Sequence, residues 1–160
     1  MSSRSPRMPA KTPELTLVDG LFQLSFHLHG LLARIAGGHD LSLIQVRLLG
    51  ILRDREPGML ELARYLELEK SSLSGLIDRA ERRGLVERIP SREDRRAARI
   101  RVTAQGRRLS RIVEDQVATE VAALVGVISR GDQARLTALL SQLVARASRP
   151  VRAPGDGEPV

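Results

Sequence analysis

The sequence predicts a mainly α-helical chain with one small β-hairpin, and three observations predict it. Apolar residues recur at helical spacing at both ends of the chain and in its middle. One stretch, Arg99-Ile100-Arg101-Val102, instead alternates with period two, as a strand with one buried face does. The short apolar run Leu85-Val86-Glu87-Arg88-Ile89 stops at Pro90 just before it, so the two form a hairpin across a polar, arginine-rich loop. Finally, two short helical patterns joined by a tight polar turn lie immediately upstream of that hairpin.

Taken in order, Met1 to Pro13 is polar, basic and interrupted by proline, and is expected to be a disordered arm. A single domain is expected over 14–148. Its first helix runs from about Glu14 to Ile35, with Leu17, Leu21, Leu24, Leu28, Leu31, Leu32 and Ile35 giving a wide apolar surface. Gly37-Gly38 is expected to end it. A second helix spans about Ser42 to Arg53, and Glu56-Pro57-Gly58 is a turn. Leu60, Leu62, Ala63 and Leu66 mark a short third helix.

The fourth helix carries the clearest pattern. Leu73, Leu76, Ile77 and Ala80 share one face, and Ser71, Gly75, Asp78, Arg79 and Arg82 fall opposite. Gly84 suits the left-handed residue that closes a helix, with Leu85 as its apolar partner. After the hairpin, Thr103 caps a long helix of about Ala104 to Ser129, and Gly106 permits close packing in its first turn. Gly131 is expected to break that helix, and Asp132 to cap a last one over about Gln133 to Ala147. The terminal blocks 14–37 and 104–148 bracket a central reader, 41–103, and their apolar seams suit a dimerisation layer. From Arg149 the tail, 149–160, is rich in Pro and Gly and is expected to be disordered.

Composition narrows the function. The formal charge of +7 favours an anionic partner. Nine basic and four acidic residues lie between Arg79 and Thr103, so the charge gathers on the fourth helix and the hairpin. The chain has no cysteine, which excludes a disulfide framework, a thiolate zinc site and a cysteine redox switch. No apolar run approaches membrane-spanning length and no signal-peptide pattern opens the chain, so a cytoplasmic protein without membrane contact is expected. Enzyme chemistry finds no support. His27 and His29 point about 200° apart on a helix and cannot share a metal, and no paired carboxylates suggest acid–base work. No cofactor is expected.

The spacing of Lys70-Ser71-Ser72-Leu73-Ser74, Arg82-Arg83-Gly84-Leu85-Val86, Asp94-Arg95-Arg96, Val102-Thr103 and Gly106 resembles the MarR (multiple antibiotic resistance regulator) family of winged helix-turn-helix transcriptional regulators. The resemblance is firm from about Leu41 to Gly106. It implies a homodimer that binds pseudo-palindromic double-stranded DNA and that, as often in the family, releases it when a small molecule binds; a repressor is expected rather than an activator. The N-terminal end of the fourth helix would enter the major groove, bringing Lys70, Ser71, Ser72, Ser74 and Gly75 to phosphates and base edges, with Arg79 and Arg82 reaching backbone or guanine. The resemblance further implies that Arg96 enters the minor groove, with Asp94 orienting it. Arg92, Arg95 and Arg99 would meet phosphates or solvent. The sequence departs from the family at the turn Leu66-Glu67-Leu68, where glycine is usual, and at Gly75, where a larger polar residue is common.

An effector site is expected where the dimer layer meets the second helix and the reader. Its lining includes Phe22 and Phe26, with His27, His29 and Arg47 as polar anchors. That composition suits a phenolic or aryl carboxylic acid better than a sugar or nucleotide. Two other readings stay open: a non-specific or architectural DNA binder, and a winged-helix protein–protein adaptor.

Overall fold

The computed structural model describes residues 15–91 and 98–147. They fall into two compact units, the first ending at Val117 and the second beginning at Ala118. The first opens with α1 (Leu17–Gly37), α2 (Leu43–Leu52), α3 (Met59–Leu66) and α4 (Lys70–Arg82). The hairpin follows as β1 (Val86–Pro90) and β2 (Ala98–Val102), and then α5 (Ala104–Val125), which runs into the second unit. The second unit closes with α6 (Arg130–Ala147).

The starts of α1 and α2 are set by side-chain caps. The Thr16 hydroxyl accepts the Asp19 N–H at 3.2 Å and starts α1. Ser42 and Gln45 form a reciprocal capping box at α2, with the Ser42 N–H donating to Gln45 Oε1 at 2.9 Å. The core is aliphatic, as the near-absence of aromatics requires. Leu48, Leu62, Leu73, Ile77 and Ile100 are each wholly buried. Burial on α1 starts only at Leu31, because α1 extends beyond what the core covers. Strands β1 and β2 pair antiparallel from Val86↔Val102 to Pro90↔Ala98. Alternation holds on β2, where Ile100 and Val102 are buried, but on β1 only Val86 is. A third edge is a stub: the Ile100 N–H donates to the Pro57 carbonyl at 2.9 Å, and Gly58 bridges Arg99.

The ends of α1, α3 and α4 close by one device. A left-handed residue turns the chain, and the next residue's N–H reaches back to a carbonyl of the last turn. The pairs are Leu41 to Ala36 at 2.9 Å, Leu68 to Ala63 at 3.0 Å and Leu85 to Ala80 at 2.9 Å. The left-handed residues are Asp40 (φ 56°), Glu67 (φ 56°) and Gly84 (φ 67°). As expected, α1 ends at Gly37, with Gly38 as its C-cap. Gly38 keeps right-handed helical geometry, and the reversal falls on Asp40, where Leu41 can bury. The missing glycine of the turn after α3 is also resolved, because Glu67 itself takes the left-handed conformation.

Thr103 and Gly106 do what the sequence suggests. The Gly106 N–H donates to Thr103 Oγ1 at 3.0 Å, and that hydroxyl donates to the Gly84 carbonyl at 2.6 Å. A Cβ on Gly106 would sit 2.1 Å from the Leu85 carbonyl oxygen. In the second unit, Ser129 rather than Asp132 caps α6, accepting the Asp132 N–H at 3.1 Å. Gly131 lies inside the first turn of α6 rather than breaking a helix. No residue of α6 is buried among the described residues. No described helix is long and apolar enough to cross a membrane.

Two substitutions test this account in opposite directions. Gly106→Ala forces backbone apart and is expected to cost about 1–3 kcal/mol or more. Glu67→Gly relieves a left-handed non-glycine residue and is expected to add about 1 kcal/mol. Chemical denaturation of both variants reads the two signs.

Candidate nucleic-acid interface

Four residues fix the roll of α4. Leu73, Leu76, Ile77 and Ala80 are buried, the same four the periodicity assigns. The opposite face is thereby presented to solvent. Lys70, Ser71, Ser72, Arg79 and Arg82 are exposed, and Ser74 and Gly75 are half-buried. Glu69 precedes the helix without a side-chain cap, so the first N–H groups of α4 have no capping side chain. Such a helix start accommodates a phosphate.

Gly75 is not demanded by the fold. A Cβ there would meet only Arg79 Nη1, at 3.2 Å, the far end of a flexible side chain. Arg79 thus folds back over Gly75. Arg79, Arg82 and Arg83 also line an open cleft of about 520 Å³ with Asp40, Ser42 and Gln45 at the start of α2.

The hairpin is clamped to α4 by contacts the sequence reading missed. Arg88 Nη2 donates to Asp78 Oδ1 at 2.7 Å, and Arg88 Nη1 pairs with Glu81. The Arg88 N–H also donates to Glu81 Oε1 at 2.9 Å. The one available signal was that Asp78 and Glu81, three residues apart, interrupt an otherwise basic helix. Arg101 pairs with Glu87 across the strands at 3.0 Å.

Arg99 departs from the expectation of a phosphate or solvent contact. It is half-buried, and its Nε donates to the Glu56 carbonyl, because the wing root packs on the loop before α3. Arg92, Asp94, Arg95 and Arg96 lie outside the described residues.

Among the described residues, the cavities beside α2, α4, the hairpin and α5 are lined by none of the five residues expected around an effector. Phe22 and Phe26 are 60% and 70% exposed and pair with each other, ring centroids 6.3 Å apart, on the uncovered half of α1. His27 and His29 are exposed on the same helix. Arg47 is drawn to the helix-turn-helix, donating to the Tyr65 carbonyl at 2.9 Å with Glu67 3.6 Å away. A cavity of about 260 Å³ instead lies between α2 and the start of α5, lined by Leu49, Val102, Arg53, Arg107, Ser110, Arg111 and Glu114, with Asp54 at its edge. Arg53 lies 3.7 Å from Glu114. Its guanidinium is held above its ordinary range by the hydrogen bond it donates to Asp54 and then by the charges of Asp54 and Glu114.

Gly75→Ala is expected to leave the fold intact and raise stability by about 1 kcal/mol, the helix-propensity difference. Thermal denaturation checks it, and a lowered melting temperature would mean that the close approach of Arg79 matters to the fold.

The comparisons with known proteins agree with this geometry. Residues 39–97 match the sequence model of the MarR family. A structure of an S. aureus MepR mutant superposes with TM-score 0.72 at 19% identity, covering 83% of this chain and 99% of that one. The transcriptional repressor CouR, bound to a 23-mer DNA duplex, superposes at 0.67 with 20% identity, covering 87% of this chain and 99% of that one. NadR in complex with 4-hydroxyphenylacetate superposes at 0.64 with 26% identity, covering 85% and 97%. Residues 39–97 thus match the MarR family in sequence, and the helix-turn-helix with its hairpin wing is the winged-helix fold of the solved structures of that family.

Proposed function

We propose that this chain is a repressor that binds a pseudo-palindromic operator as a homodimer in the cytoplasm. The observation that carries the reading is α4: its apolar seam is wholly committed to the core, and its free face bears Lys70, Ser71, Ser72, Arg79 and Arg82. Such a helix enters a major groove with its N-terminal residues on the bases and its arginines on phosphate or guanine. The wing supplies a second contact. Asp94 and Arg96 take their roles from the sequence motif, with Arg96 in the minor groove. CouR, a relative by fold, is bound to a DNA duplex.

Two apolar faces support the dimer. Leu17, Leu21 and Phe22 are exposed on α1, and Leu139, Leu143 and Val144 on α6. A self-complementary interface is the usual way to cover such faces. Sedimentation of dilute protein tests this: a dimer is expected, and a well-folded monomer at micromolar concentration would count decisively against it.

Release by a small aryl acid is the regulatory part of the proposal. NadR is seen with 4-hydroxyphenylacetate. The cavity between α2 and α5 offers Leu49 and Val102 to a ring and Arg107 and Arg111 to a carboxylate. A ligand releases DNA only if it prefers the form that does not bind DNA.

The operator is obtained by selecting duplexes from a random library with the wild-type protein. On the selected duplex, Arg96→Ala is expected to lose on the order of 1–3 kcal/mol. Arg95→Ala should act mainly through the slope of affinity against salt. Equal affinity of Arg96→Ala and wild type removes Arg96 from the interface. Failure to select any duplex leaves non-specific binding as the function.

A further inference from the structure

The arginine at the C-terminal end of α4, Arg83, is engaged by the protein's own backbone. Arg83 follows the last residue of α4, and its guanidinium forks onto two consecutive carbonyls of the turn between α1 and α2. Nη2 donates to the His39 carbonyl at 3.1 Å, and Nη1 donates to the Asp40 carbonyl. Asp40 is the left-handed residue of that turn, so these carbonyls are set by a strained local conformation. The same turn is tied to α5, because His39 Nε2 and Gln116 Oε1 are 3.0 Å apart. Alpha-helix α5 also meets the end of α4 directly, where Gln105 Nε2 donates to the Arg83 carbonyl at 3.3 Å. The hydrogen bonds therefore close a loop: α5 through Gln116 to His39, from the turn to Arg83, and from Arg83 through Gln105 back to α5.

We propose that Arg83 is a positioning residue for sequence recognition, holding the C-terminal end of α4 to the α1–α2 turn and, through His39 and Gln116, to α5. This rests on the operator-binding reading above. The apolar seam sets the roll of α4, but a helix can still pivot about its seam. The fork adds a tie to the α1–α2 turn that the junction with α5 and the Arg88 clamp do not supply, and so limits that freedom. Only a planar guanidinium presents two parallel donors to adjacent carbonyls, and a lysine ammonium does not replace it. A pivot of α4 shifts its N-terminal residues against base edges and leaves the net charge unchanged. Sequence-specific binding should then suffer while charge-driven binding does not.

The test uses the full chain, the selected duplex and a scrambled duplex of equal length. Arg83→Lys is expected to weaken binding to the selected duplex about tenfold, within the usual range of coupling between sites. It should leave the scrambled duplex and the salt slope unchanged. His39→Ala and Gln116→Ala should act in the same direction, and His39→Ala should cost little more when added to Arg83→Lys, because the two break one path. If Arg83→Lys fails to fold, His39→Ala alone carries the comparison of the two duplexes. Wild-type affinity of Arg83→Lys for the selected duplex overturns the proposal. So does an equal loss on both duplexes with a shallower salt slope, which would make Arg83 a phosphate contact. A wild type that selects no duplex strikes the operator-binding reading, whereas one that selects a duplex equally well read by the variants strikes only the positioning role.

Discussion

The Leu85 carbonyl sits where α4 ends and α5 begins, and the reader depends on how closely the chain packs there. It accepts the Thr103 N–H at 3.0 Å and lies against Gly106 so tightly that no Cβ fits. The Thr103 hydroxyl holds the neighbouring Gly84 carbonyl. Two backbone contacts and one hydroxyl bond thus fasten the end of α4 to the start of α5. Backbone contacts of this kind do not slide as side chains do. The hairpin, strung between Leu85 and Thr103, inherits its position from the same junction.

The left-handed helix ends make a second constraint. Each turns the chain sharply and buries or half-buries the apolar residue that follows: Leu41, Leu68 and Leu85. Burial of a leucine stabilises by about 1.5–3 kcal/mol, more than the roughly 1–2 kcal/mol that a left-handed non-glycine residue costs. Asp40 and Glu67 are therefore tolerated where glycine would be easier. The strain falls at the turns that place α2 and α4, and Arg83 and Arg47 each hold one of them.

The arginines divide between two tasks. Arg79 and Arg82 stand exposed on the free face of α4. Arg83, Arg88, Arg99 and Arg101 are spent on carbonyls and carboxylates that hold the reader together. Net charge over Arg79 to Thr103 is thus a poor measure of the contact surface. The charge still favours an anionic partner, whichever guanidinium supplies it.

The sequence by itself determined the helices, the hairpin and the buried seam of α4. Each follows from periodicity, which is a local property of the backbone. It also determined Gly84, Thr103 and Gly106, because turn and cap chemistry acts over a few residues. The exposed members of the α4 face were legible as the complement of the seam. Tertiary structure alone decided the rest. The left-handed residue after α1 falls on Asp40, since its place depends on where Leu41 can bury. Arg88 meets Asp78 and Glu81, and Arg83 meets residues more than forty positions away. Phe22 and Phe26 lie exposed on α1, although their spacing matches that of buried residues elsewhere. Periodicity states which residues share a face, but only the packed chain decides whether anything covers that face, because the covering element comes from a distant part of the sequence.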